Sequence, residues 1–274
     1  MNKIAMKHLY EEKYNSQKCL MKIIEYNNYK DIVVEFQDEY KTRVHTNYEH
    51  FLSGGVKNPY SPTSYNVGII GNKYPVSINC KPTKEYTAWQ GMLRRCFDKN
   101  VKNKYPTYKD VTCCEEWFLF ENFYEWLHSQ ENFNKWYQGE RWAVDKDILV
   151  KGNKIYSPET CCLVPINVNQ LFKKRFGDAP ICIDLQINIS KIENKFQIKY
   201  QNPFTNKTEY FTSYNDIESA LQTCKTNVVE HEFKEYKINK ENNIKRIAQE
   251  EYDKCNITKQ CYDAMMNYEV EITD

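Results

Sequence analysis

The sequence predicts an α+β protein, and three observations predict it. Short runs rich in β-branched and aromatic residues, separated by polar turn residues, fill 17–60 and return at 180–215. Between them, apolar residues recur at three- and four-residue spacing from Thr87 to His128, the mark of helices with one buried face. The last stretch, about Lys240 to Asn267, is charged and reads as helical. A length of 274 residues suits roughly two domains, and such a chain buries a core without covalent staples.

Residues 1–60 read as a small SH3-like β module of three or four strands. Met21–Tyr26 and Asp31–Phe36 flank a turn at Asn27-Asn28, Gln37-Asp38-Glu39 makes the next turn, and Tyr40–His45 is the third strand. Phe51-Leu52-Ser53-Gly54-Gly55 through Pro59 closes the module with turn chemistry. Such a module is a binding or packing unit. Residues 61–86 form a linker marked by Pro62, Pro75, Pro82, Gly68 and Gly71, with a short strand near Val67–Ile70.

Residues 87–176 read as one domain. Its first helix buries Trp89, Met92, Leu93 and Cys96 and projects Arg94 and Arg95 from its sides. A second helix over Glu115–His128 carries a core stripe of Trp117, Phe120, Phe123, Tyr124 and Leu127. Strand, loop, strand and helix follow, from Trp142–Leu149 through Gly152-Asn153 and Tyr156 to Ile166–Phe172. Residues 177–238 read as three strands, Ile181–Ile183, Phe196–Tyr200 and Glu209–Phe211, followed by a helix over Ile217–Tyr236. Residues 239–274 form a helical tail.

Composition excludes several classes. No apolar run of 18 residues exists, which rules out a helical membrane span and a membrane partner. The first residues lack the apolar stretch of a secretion signal, so the chain reads as cytoplasmic. Lys and Arg number 38 against 37 Asp and Glu, a net charge of +1, so a nucleic-acid contact requires a local patch. The 11 cysteines read as reduced thiols. Cys113-Cys114 and Cys161-Cys162 are adjacent pairs and no C-x-x-C occurs, which favours buried thiols over a zinc site.

Residues 86–172 resemble phage-borne HNH homing endonucleases. The resemblance rests on Tyr86-Thr87-Ala88-Trp89 with Met92-Leu93 and Arg95-Cys96, and on Val111 to Trp117 with Phe120, Phe123 and Trp126. It continues in Asp145-Lys146-Asp147, Gly152-Asn153, Tyr156 to Cys161, Val164 and Asn169. That resemblance implies a ββα-metal core in which a histidine activates water beside one divalent ion, Mg or Mn. It places Asp145 and Asn169 as metal ligands, Lys146 where the general-base histidine belongs and Thr160 where a middle asparagine often sits. Asp145, Lys146 and Asn169 are thus the candidate catalytic set of a degenerate core.

The stretch 180–236 resembles the Apetala-type DNA-binding domain, carried by Lys195-Phe196-Gln197-Ile198, Glu209 to Tyr214 and Ile217 to Ala220. That likeness implies phosphate contacts from Lys195, Lys199 and Lys207, extended by Lys173, Lys174 and Arg175 at the junction. Two partners follow from these resemblances: a protein complex of host antiviral defence, inhibited in the anti-CRISPR or anti-restriction manner, or double-stranded DNA. An active metal-dependent nickase and a DNA-binding regulator are the alternatives. The wealth of Tyr and Trp also leaves room for a homo-oligomer.

Overall fold

The computed structural model describes residues 7–139, 141–172, 179–182, 187–192, 195–201, 208–210, 215–219 and 233–270. It is α+β, and no helix among these residues is long and apolar enough to cross a membrane. The chain divides into two compact units, Met1–His128 and Ser129–Asp274, a division that falls inside the span 87–176.

The first unit opens with an antiparallel four-stranded meander in the order β1 (Glu12–Tyr14), β2 (Leu20–Asn28), β3 (Asp31–Phe36), β4 (Arg43–Thr46). Alternation in β2 turns Met21 and Ile23 inward, where they meet Ile32, Val34 and Phe36 of β3. Phe51 of helix α1 (Tyr48–Ser53) and Val56 complete that core. Strand β2 outruns the expected turn at Asn27-Asn28. Asn28 stays paired with Asp31 while its side chain accepts from the Lys30 amide at 2.9 Å, which moves the turn to Tyr29-Lys30. Gly54 ends α1 at φ 69°, as a left-handed cap requires.

The linker is irregular apart from the small hairpin of β5 (Ser77–Ile78) and β6 (Lys81–Pro82). The strand expected near Val67–Ile70 is reduced to single bridges, Ser64 to Gly68 and Ile69 to Leu119. Helix α2 (Lys84–Phe97) follows, capped by Thr83, and buries Trp89, Met92, Leu93 and Cys96 as its periodicity requires. The short helix α3 (Lys99–Lys104) and the strand β7 (Thr112–Cys113) lead to a 3-10 turn at Glu115–Phe118 and to α4 (Phe120–Ser129). The expected single helix from Glu115 is therefore broken at Leu119, whose bridge to Ile69 takes it out of helical geometry. Trp89 Nε1 donates to the Trp117 carbonyl at 2.8 Å, satisfying a buried indole.

A buried carboxylate holds the linker in place. Glu121 of α4 accepts from the backbone amides of Asn72 at 2.8 Å and Lys73 at 2.7 Å, and from Tyr60 Oη at 3.2 Å. Gly71, at φ 76°, sits against that carboxylate with no room for a Cβ.

The second unit begins with α5 (Phe133–Gln138). Strands β8 (Trp142–Asp145) and β10 (Cys162–Pro165) pair antiparallel, with the short strand β9 (Ile155–Tyr156) between them in sequence and α6 (Ile166–Leu171) directly after. A four-stranded antiparallel sheet follows: β11 (Ala179–Cys182), β12 (Ile187–Ile192), β13 (Lys195–Gln201) and β14 (Thr208–Tyr210). It holds one strand more than the three expected, because Ile187–Ile192 pairs between β11 and β13. Most of the helix expected over Ile217–Tyr236 lies outside the described residues.

The C-terminal stretch is helical, as α7 (Phe233–Asp253) and α8 (Lys259–Met266). It is no peripheral tail. Ile244, Ala248, Ile257, Cys261 and Met265 share one core with Ile148, Cys162, Val164 and Val168. Asn132 pins the same region, donating to the carbonyls of Leu163 and Asn256 at 2.8 and 2.9 Å. The cysteines whose side chains are described are free thiols.

Replacing Glu121 with Ala strands two backbone amides of the linker. The variant is expected to lose about 2–4 kcal/mol of unfolding free energy in denaturant titration. A loss below about 0.5 kcal/mol would show that water replaces the carboxylate at no cost.

Candidate functional site

The strand–loop–strand–helix segment brings Asp145, Lys146 and Asn169 together. Asp145 is the last residue of β8, paired across the ladder with Cys162. Its Oδ1 accepts from the amides of Asp147 at 2.7 Å and Ile148 at 2.9 Å, which turns the chain sharply out of the strand. Its Oδ2 accepts from Asn169 Nδ2 of α6 at 2.6 Å. Asp145 and Asn169 are both buried, at 9% and 8% exposure, so this bond is made out of water. Burial, and then the neighbouring Asp147 carboxylate, push the Asp145 carboxyl above its usual range despite the two amides.

Lys146 is buried and pointed back into its own loop. Its Nζ donates to Asp147 Oδ1 at 2.6 Å and to the Asn153 carbonyl at 2.8 Å, and lies 5.8 Å from the Tyr156 ring centre. Asn153 answers by donating from Nδ2 to the carbonyls of Lys146 at 2.9 Å and Ile155 at 2.6 Å. Lysine and asparagine thus clamp residues 146–155 from both ends, with Gly152 at φ 74° making the bend between them. Thr160 stands outside this exchange, donating from Oγ1 to the Ile155 carbonyl at 2.8 Å and meeting Ser157 Oγ at 3.1 Å. Burial pushes the Cys161 thiol up to about 12, so it is no nucleophile at neutral pH.

The chemistry available is limited. Lys146 Nζ is engaged as a donor to a carboxylate and a carbonyl, so it is not placed to accept a proton from water. No histidine occurs among the described residues of the second unit. Asn169 presents its NH₂ to Asp145, so the amide would have to turn over before its oxygen could join Asp145 on a cation. Among the described residues no cluster of three or more His, Cys, Asp or Glu is placed to hold a metal. The residues as placed therefore do not fit a divalent ion.

The expected nucleic-acid contacts divide differently. Lys195 and Lys199 lie four positions apart on β13 and so share a face of the sheet, Lys195 exposed and Lys199 half-buried. Lys173, Lys174, Arg175 and Lys207 lie outside the described residues. The clamp formed by Asp147 and Asn153 escapes a sequence reading, because a charged loop with a glycine looks like solvated surface. Its one local signal is Asp145 followed by amides at the second and third positions. No family model, no curated protein and no solved structure matches this chain.

Exchange of the two buried partners tests the geometry. Asp145→Asn alone sets one NH₂ against another and is expected to cost about 1–3 kcal/mol. Adding Asn169→Asp restores a donor–acceptor pair and is expected to recover most of that loss in a double-mutant cycle. The pH dependence has a definite sign. The native Asp145 carboxyl holds its proton more tightly than the unfolded chain does, so its contribution falls as pH rises above about 3.9 through the native value. Denaturant titrations between about pH 3.5 and 7 should show this slope in the native protein and not in Asp145→Asn.

Proposed function

We propose that this chain is a phage-type protein of HNH homing-endonuclease descent that has lost cleavage and acts by binding. One observation carries the reading. Lys146, at the position where the resembled family keeps its base, is buried and tied to Asp147 and to the Asn153 carbonyl. The residue that would activate water instead holds the loop shut. The Asp145–Asn169 bond adds to this, since the pair that would hold the ion satisfies itself.

The partner proposed is a protein component of host antiviral defence, inhibited in the anti-CRISPR or anti-restriction manner. A net charge of +1 favours a protein surface over a general polyanion. The second reading is duplex DNA, favoured by the shared face of Lys195 and Lys199 on β13.

Two measurements test these readings. Supercoiled plasmid incubated with the full chain and Mg²⁺ or Mn²⁺ is expected to stay supercoiled. Nicking that disappears in Asp145→Ala would overturn the loss of cleavage. The chain expressed in bacteria carrying one restriction or CRISPR system at a time should raise phage plating at least about tenfold against one of them. Unchanged plating against every system tried, beside a DNA complex stable at about 150 mM salt, would shift the reading to DNA.

A further inference from the structure

Near-zero net charge conceals a strongly basic stretch in the first unit. Residues 94–110 hold six of the 38 basic residues and two of the 37 acidic ones, so they carry +4 while the rest of the chain carries −3. The six are Arg94, Arg95, Lys99, Lys102, Lys104 and Lys109, and they occupy the corner where α2 gives way to α3 and a 3-10 turn at Pro106–Tyr108.

The corner is built, not frayed. Asp98 ends α2 through its amide on the Arg94 carbonyl and starts α3 through Oδ1, which accepts from the amides of Asn100 at 2.8 Å and Val101 at 3.2 Å. Val101 is buried beneath it. Lys102 Nζ reaches forward to the carbonyls of Lys109 at 3.2 Å and Val111 at 3.1 Å and ties the following turn to α3. Lys104 lies over the exposed Tyr105 ring, whose edge meets Tyr108.

Three of the six cations on this corner have no acidic partner among the described residues. One of the two carboxylates, Asp98, is already engaged as the helix cap and stands 3.8 Å from Arg94 Nε. Lys99, Lys104 and Lys109 are exposed, and none of them forms an ion pair among the described residues. Like charges crowded into a short stretch of chain repel one another, and a polyanion relieves that repulsion. Duplex DNA presents about one phosphate charge per 1.7 Å of axis and needs no base contact to bind such an array.

We infer that the helical corner from Arg94 to Lys109 is a contact surface for the phosphate backbone of duplex DNA. It belongs to the first unit, whereas the ββα segment and the β13 lysines belong to the second, and it does not depend on whether the chain cleaves or inhibits. Binding here is independent of sequence and steeply dependent on salt, since each phosphate contact releases condensed counterions.

The test is fluorescence anisotropy of the full chain on a labelled mixed-sequence duplex, from about 50 to 200 mM salt. The triple variant Lys99→Glu, Lys104→Glu, Lys109→Glu is expected to bind at least about tenfold more weakly at the low-salt end. Its plot of log affinity against log salt should be shallower by about 2.7, or 0.9 per lost contact. A control triple on the β module, Lys13→Glu, Lys18→Glu, Lys30→Glu, makes the same change in net charge and should leave the slope intact. Should the reversal variant melt early, the glutamine triple at 99, 104 and 109 reads the same slope with less perturbation. Absence of duplex binding by the native chain, an unchanged slope in the triple, or an equal loss in the control would overturn the assignment. Tighter binding of single strands than of duplex would overturn the choice of partner.

Discussion

A carboxylate taken out of water must be met by donors, and each unit of this protein has irregular backbone arranged to meet one. In the first, Glu121 projects from α4 and gathers two amides and a tyrosine hydroxyl from a proline-broken linker. In the second, Asp145 ends β8 and gathers two amides of the following turn together with the side chain of Asn169. The donors are mostly main-chain, so the carboxylates fix the path of the chain and not merely the position of a side chain. That explains why loops with little apolar content hold a definite course. The desolvation cost of each carboxylate is offset only when all its donors are in place, which makes both loops cooperative with the helices and strands around them.

Elements were legible in the sequence where one physical signal decides the outcome. Met21, Ile23, Ile32 and Val34 alternate, so β2 and β3 could be read directly, and Trp89, Met92, Leu93 and Cys96 repeat at helical spacing, so α2 could too. Strand β1 could not. Glu12, Lys13 and Tyr14 all face solvent and join the sheet only because β2 offers a free edge. The break at Leu119 was equally hidden, because a bridge to a residue fifty positions earlier has no local trace. The C-terminal helices carry too much charge to announce a buried face. Their role rests on a few residues, Ile244, Ala248 and Cys261 among them, that reach the core under β10.

The candidate site was half legible for a related reason. The family resemblance singles out Asp145 and Asn169, and the fold does bring them within a hydrogen bond. Spacing says nothing about whether a lysine will face outward as a charge or inward as a tie. For Lys146 that is decided by Asp147 and by the carbonyl that Asn153 turns toward it, a matter of backbone direction that a linear pattern does not encode. Total charge misleads in the same manner. A sum of +1 describes a chain in which one helical corner carries +4 and the remainder carries −3.

The clamp at Lys146 and Asn153 raises the question of what a loop gains by closing on itself. A loop that must admit substrate and metal has to leave polar groups unsatisfied or exchangeable until they arrive. Such groups cost stability in the free protein and invite adventitious ions. Once Lys146 occupies the Asn153 carbonyl and Asn169 occupies Asp145, that cost disappears and the segment becomes a rigid support. A rigid support loses little conformational entropy when anything docks on it. The closed loop is therefore a fixed support whose polar groups are already met from within.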